Sequence, residues 1–203
     1  MNNKKTSLLF VLMLLICGLP EAGMGTALAQ TSQQQALTAQ AQLALWQLPA
    51  GRFEFQQQKW IRGLKRPLQS SGYLQLAQDS LQWVTEKPVQ QQVLLNKQGV
   101  QQQLGTELKL QPGSELIGQL MLAVMQQDLA FLQQHFVLKT AEDSCVQLQP
   151  LKAPLTGFYR YIALCGKERL QQIELLELSG NRSEIKLSPQ QAAKVKQTTG
   201  KTQ

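Results

Sequence analysis

Few residues of this chain could do chemistry. It has a single histidine, His135, and three cysteines. His135 stands between Gln134 and Phe136, just after a methionine-bearing apolar stretch, and no partner for a triad or a metal site lies at a recognisable spacing. It reads as a surface or capping residue. The acids Asp79, Asp128, Glu142 and Asp143 fall in breaks between apolar runs and show no paired-carboxylate pattern. There is no His-Glu-x-x-His, no Gly-x-Ser-x-Gly and no phosphate-cradling glycine loop. The expectation is therefore of a protein without catalytic residues, metal or cofactor. Triads are recognised by geometry, so a lipid hydrolase built on His135 remains as a distant reading.

The cysteines make a sharper statement. A register that pairs Cys145 with Cys165 also pairs Val146 with Leu164 and Leu148 with Ile162. The second and third pairs then share one wholly apolar face and the cysteines share the other. One register satisfies both constraints. It predicts adjacent antiparallel strands joined by a Cys145–Cys165 disulfide, which would stabilise the fold by roughly 3 kcal/mol in the chain-entropy model. No Cys-x-x-Cys spacing points to redox catalysis, so the bond reads as structural.

The alternative is two reduced, buried thiols; the N-terminus decides for the bond, because it reads as an export signal into an oxidising compartment. Lys4 and Lys5 precede the apolar run Leu8–Leu15, and Ala27, Leu28 and Ala29 match a small-x-small cleavage rule. Residues 1–29 are predicted to be a signal peptide cleaved after Ala29, so the chain is expected to be exported. Ile16 before Cys17 argues against a lipoprotein signal. The formal net charge of +7 over 203 residues falls by one unit on losing Lys4, Lys5 and Glu21. Such a charge suits solubility or an anionic membrane equally. Nucleic acid is excluded as a partner by export and by basic residues scattered along the sequence.

The elements that would carry these residues follow from periodicity. Residues 31–48 read as an amphipathic helix with the stripe Leu37, Ala41, Ala44, Leu45 and Leu48, stopped by Pro49 and Gly51. From Gly51 to about Pro112 the period becomes two: Phe53 with Phe55, Leu74 with Leu76, Leu81 with Trp83, Val89 with Val93 and Leu95, Val100 with Leu104. Breaks fall at Lys65–Pro67, Gln78–Ser80, Lys87–Pro88 and Lys97–Gly99. This predicts an antiparallel meander with one apolar and one glutamine-rich face. After Pro112, Gly113 and Ser114 a helix carries Leu116, Ile117, Leu120, Met121, Val124 and Met125. Asp128 is placed to cap a second short helix with Leu129, Phe131 and Leu132. Strands resume at Phe136–Thr140, Cys145–Gln149, Phe158–Cys165, Arg169–Leu178 and Arg182–Leu187, the last two joined by a turn at Gly180 and Asn181. The tail from Pro189 is polar. Residues 30–188 form one domain in this reading.

A one-sided sheet that curls without closing leaves a concave apolar face, and helices inserted midway can cover it. The same face could serve simply as a core. As a cavity it suits a ligand bound by burial, at about 0.8 kcal/mol per methylene.

Several segments together resemble the LolA-like family of periplasmic outer-membrane lipoprotein carriers, in its divergent branch: Gly51–Gln56, Arg66–Gly72, Leu81–Pro88, Gln126–Leu132 and Ile173–Ile185, in that order over nearly the whole mature chain. The resemblance implies an α+β, mainly β fold, an incomplete antiparallel β-barrel with a helical lid over an apolar cavity. It implies a monomeric, non-enzymatic carrier that takes acylated cargo, a lipoprotein or another lipid, from an inner-membrane releasing complex or exporter to an outer-membrane acceptor. The acyl-binding residues expected on this reading are Phe53, Phe55, Leu74, Leu76, Trp83 and Val93 on the sheet, and Leu116, Leu120, Met121, Val124 and Leu129 on the lid. Where the family carries an Arg-Pro pair whose arginine ties down the lid, this chain has Ala77 and Gln78, which puts that latch in doubt and leaves a glycolipid or other acylated product open as cargo. The other class of reading is an assembly module of an envelope export machine that binds protein through a sheet edge.

Overall fold

The computed structural model describes residues 24–189. Residues 1–23 of the expected signal peptide, and the tail beyond Pro189, lie outside the described residues. The chain divides into two compact units, residues 1–33 and 34–203, and every strand belongs to the second.

Helix α1 (Met24–Leu45) is followed by strands β1 (Gly51–Trp60), β2 (Leu68–Leu76), β3 (Ser80–Lys87), β4 (Gln91–Asn96), β5 (Gly99–Leu104) and β6 (Glu107–Leu110). Then come helices α2 (Glu115–Gln126) and α3 (Leu129–His135), and strands β7 (Phe136–Ala141), β8 (Cys145–Pro150), β9 (Tyr159–Cys165), β10 (Gln172–Glu177) and β11 (Arg182–Pro189). All eleven strands among the described residues form one sheet, in the order β6-β5-β4-β3-β2-β1-β11-β10-β9-β8-β7. Every pairing is antiparallel. The sheet is curled but not closed: β6 and β7 are its two edges, and the α2–α3 pair carries the chain from one edge to the other.

The register aligns the predicted apolar positions on one face. Phe53 lies opposite Leu74, Leu74 opposite Trp83, and Trp83 opposite Val93. Leu76, Leu81, Leu95 and Val100 make a second such row. On the other half of the sheet Ile185, Ile173, Leu164 and Val146 form a third. Strand side chains alternate between faces, so these rows are one continuous inner face. The predicted cysteine register is the observed one, with Cys145 opposite Cys165, Val146 opposite Leu164 and Leu148 opposite Ile162. Cys145 and Cys165 are disulfide-bonded on the outer face.

The reading of α1 needs correction. Leu48 is buried as expected, but the other inward side chains are Ala39 and Leu43 of the helix and Trp46 just beyond it, while Leu37, Ala41, Ala44 and Leu45 are exposed. The helix ends at Leu45, and Trp46 N–H closes a tighter last turn on the Leu43 carbonyl. Trp46 is fully buried and its indole N–H donates to the Lys167 carbonyl. An indole offers the largest apolar surface of any side chain, and seating it turns Leu37 and Leu45 outward. Val89 and Leu104 also depart from the expected alternation. Val89 lies in the β3–β4 loop, and both residues are exposed.

Candidate functional site

The inner face and the helices upon it are where the chain gathers its apolar surface. α2 begins after Ser114, whose hydroxyl accepts from the Val100 N–H at 2.8 Å and donates to the Gln111 carbonyl. Leu120, Leu122, Ala123, Val124 and Met125 are buried, and Leu116 and Met121 are half-buried against the same core. The helix lies over β4 and β5. Gly118 makes the approach close: a Cβ there would sit 2.3 Å from the Asn96 carbonyl oxygen and 2.8 Å from that of Gly99. α2 ends at Gln127, which is buried with a left-handed backbone. Asp128 then caps α3 as predicted, its carboxylate accepting from the Phe131 N–H at 3.0 Å.

Side chains of α2 fasten it to the ends of strands. Gln119 donates to the Lys97 carbonyl at 3.3 Å. Gln126 donates to the carbonyls of Ala77 and Gln78. Ala77 and Gln78 are the positions where the resemblance puts an Arg-Pro latch in doubt, and there the fastening runs the other way, from the helix to the backbone of the turn.

All eleven predicted binding residues belong to this one assembly. Phe53, Phe55, Leu74 and Leu76 are buried on the sheet, with Leu120 and Val124 buried above. Trp83, Val93, Leu116, Met121 and Leu129 pack half-buried against them. The Phe55 and Trp83 rings meet at 4.9 Å and 56°. Gly72 sits between Phe55 and Thr85 on this face, where a Cβ would fall 2.0 Å from the Val84 carbonyl oxygen. Only glycine allows β3 to bulge there.

Consecutive hairpin connections alternate between the two ends of a sheet. The turns held by α2, β2–β3 and β4–β5, are at one end. The β1–β2 and β3–β4 connections are at the other. A cleft of about 540 Å³ opens there, lined among others by Gln57, Lys59, Leu68, Ser70, Thr85 and Val89. Of these residues periodicity singled out Val89 alone, because the segment 67–71 reads as polar and broken. The available signal was two exposed apolar residues, Leu68 and Val89, each next to a proline. At the rim Lys59 pairs with Glu177 at 3.4 Å. Burial alone would raise the Glu177 pKa, but hydrogen bonds from Asn181 and Ser179 and the charge of Lys59 hold it below the ordinary value. Tyr159 nearby is raised, by burial and then by Glu177.

The chemistry-bearing residues do not converge. His135 ends α3, its ring 4.4 Å from that of Phe131, and burial followed by the Lys152 charge lowers its pKa. Asp79 and Asp128 line a cleft of about 300 Å³ beside Lys97 at the helix end, whereas Glu142 and Asp143 lie with Cys145 beside a separate outer-face groove. Among the described residues no group of three or more His, Cys, Asp or Glu is arranged to hold a metal ion.

No family model matches the sequence, and no curated protein matches it. Solved structures do. The chain is similar to a LolA superfamily protein from Nitrosomonas europaea, at TM-score 0.45 and 11% identity over 76% of this chain and 91% of that one. It is also similar to a domain named for outer-membrane lipoprotein sorting from Vibrio parahaemolyticus, at TM-score 0.35 and 9% identity over 77% of this chain and 91% of that one.

Proposed function

We propose that this chain is a non-enzymatic periplasmic carrier that shelters the acyl chains of a lipidated cargo in transit between the inner and outer membranes. One observation carries the reading: the apolar face beneath α2, with Phe55, Leu74, Trp83 and Val93, continues along the same strands, past the polar side chains of Gln57, Ser70 and Thr85, to an open cleft at Leu68 and Val89. An acyl chain entering at the cleft would follow the rows through Trp83, Val93 and Leu74 and take the place of α2 side chains against the sheet. The predicted sheet residues would form the floor, and Leu116, Leu120, Met121, Val124 and Leu129 the movable cover. Each methylene so sheltered contributes about 0.8 kcal/mol, enough over a long chain to compete with a membrane. A lid works only if its attachments are weak beside that gain. The side-chain ties of α2 to the strand ends are hydrogen bonds to neutral backbone groups, each worth about 1 kcal/mol net.

The test is uptake. Lipid extracted from the purified protein should show acylated species by mass spectrometry, and a fluorescent long-chain fatty acid should bind at one or two per chain. Met121→Ser and Val93→Ser, both half-buried positions, should weaken that binding at least about fivefold, as loss of several methylene contacts requires. A protein that carries no lipid and takes up no fatty acid even with Gln126→Ala loosening the lid is not a carrier.

A further inference from the structure

The two ends of the sheet differ in composition in a way the linear sequence conceals. The connections at the open end are residues 61–67, 88–90, 105–106, 151–158 and 178–181, and none contains an aspartate or glutamate. Arg62, Lys65, Arg66 and Lys152 stand in them, all exposed, with Lys87 at the end of β3. At the helix end the connections hold Asp79, Glu142, Asp143 and Glu168 beside their basic residues.

Apolar exposure divides the same way. Leu64, Val89, Leu151, Phe158 and Leu178 lie in open-end connections and are 47–73% exposed, Val89 most of all. Among the described residues, no exposed large apolar side chain lies in the helix-end connections between strands. These groups form one rim. The β1–β2 and β3–β4 loops flank the same cleft through Pro67, Leu68, Pro88 and Val89. The β1–β2 loop also meets the β10–β11 turn, where the Arg62 N–H donates to the Asn181 side chain at 3.0 Å and the Arg62 guanidinium lies over Gly180. Glu177, at the end of β10, is engaged by Lys59. Glu86 and Glu107 stand on the strand ends.

We infer that the protein docks onto an anionic lipid surface through this rim, open end first. A rim that pairs protruding apolar side chains with an excess of exposed cations matches a bilayer interface. The leucines and Val89 enter the headgroup layer while the arginines and lysines meet lipid phosphates. A protein partner would need a complementary acidic patch and a shaped socket for apolar groups spread over separate loops; a fluid interface needs neither. Docking in this orientation sets the cleft against the membrane. It stands on the rim alone and does not depend on what the inner face holds.

The test is sedimentation of the full chain with vesicles of phosphatidylglycerol or of phosphatidylcholine at low salt. Binding should require phosphatidylglycerol and fade as salt shortens the electrostatic range to about 10 Å at 0.1 M. Arg62→Ser, Lys65→Ser and Arg66→Ser together should cut affinity roughly a hundredfold, at about fivefold per charge. Removing the same number of charges at the helix end, with Lys97→Ser, Lys167→Ser and Arg169→Ser, should change it by less than about threefold. Leu64→Ser with Val89→Ser should weaken binding at every salt concentration. All these side chains are exposed, so unchanged thermal unfolding confirms that each variant is folded. Equal losses from the two charge triples, or equal binding to both lipids, would overturn the assignment. Absence of binding would overturn it too.

Discussion

The side-chain amide of Gln126 donates to the backbone carbonyl of Gln78 at 2.6 Å, joining residues 48 apart in the chain. A second bond from the same nitrogen reaches the Ala77 carbonyl at 3.2 Å. Gln126→Ala should therefore lower stability by about 1 kcal/mol. Amide exchange should quicken within α2 and stay unchanged in β8–β10. A urea midpoint and a hydrogen-exchange map would show both. Unaltered exchange in α2 would mean that the bond does not hold the helix down.

Gly118 offers a test in which local and tertiary effects have opposite signs. In an exposed helix interior, glycine to alanine gains about 1 kcal/mol. Here the added Cβ would meet the Asn96 carbonyl oxygen at 2.3 Å, and backbone cannot step aside as a flexible side chain can. Gly118→Ala should destabilise by about 1–3 kcal/mol, the usual range for overpacking, measured by urea unfolding. A more stable variant would show that α2 stands further from β4 and β5.

The acid limb of stability should depend on Glu177. Its folded-state pKa is depressed, because the Asn181 and Ser179 hydrogen bonds and Lys59 outweigh burial. The unfolded chain then takes up the proton more readily than the folded one. The contribution is complete above the ordinary glutamate value of 4.5 and disappears as pH falls through the lower folded value. Glu177→Gln should flatten that part of a stability–pH curve and leave the neutral region parallel to the parent. A curve of unchanged shape would show that the rim network does not bind the ionised carboxylate.

Removing the Cys145–Cys165 bond should cost roughly 3 kcal/mol by the loop-entropy relation for a separation of 20 residues. Reduction, or Cys145→Ser with Cys165→Ser, should lower the urea midpoint accordingly. The bond lies on the outer face, away from α2, so the exchange rates of that helix should not respond to its loss beyond the global change. A midpoint shift well below this value would place the difference in residual structure of the unfolded chain.

Much of the architecture was legible in the residues themselves. Strand side chains alternate with a strict period, so Phe53 with Phe55 and Leu81 with Trp83 declared both strands and the face that would be buried. Asp128 announced its cap because the donor it satisfies is three residues away. The cysteine pair carried its own register, since the apolar partners had to fall on the opposite face. Each of these signals lies within one element or one hairpin.

Only the folded chain decided the rest. Which stripe of α1 turned inward depended on room for Trp46 beside Lys167, a residue far along the sequence. That Gln126 would reach the turn at Gln78 could not be read from either segment. The basic and apolar residues of the open end look scattered in sequence because an antiparallel meander returns to the same end only every second connection. Folding superposes Leu64, Val89, Phe158 and Leu178, and in doing so separates them from the acids of the intervening turns. Sequence determines what each hairpin is; the closing curl of the sheet determines which hairpin tips become neighbours.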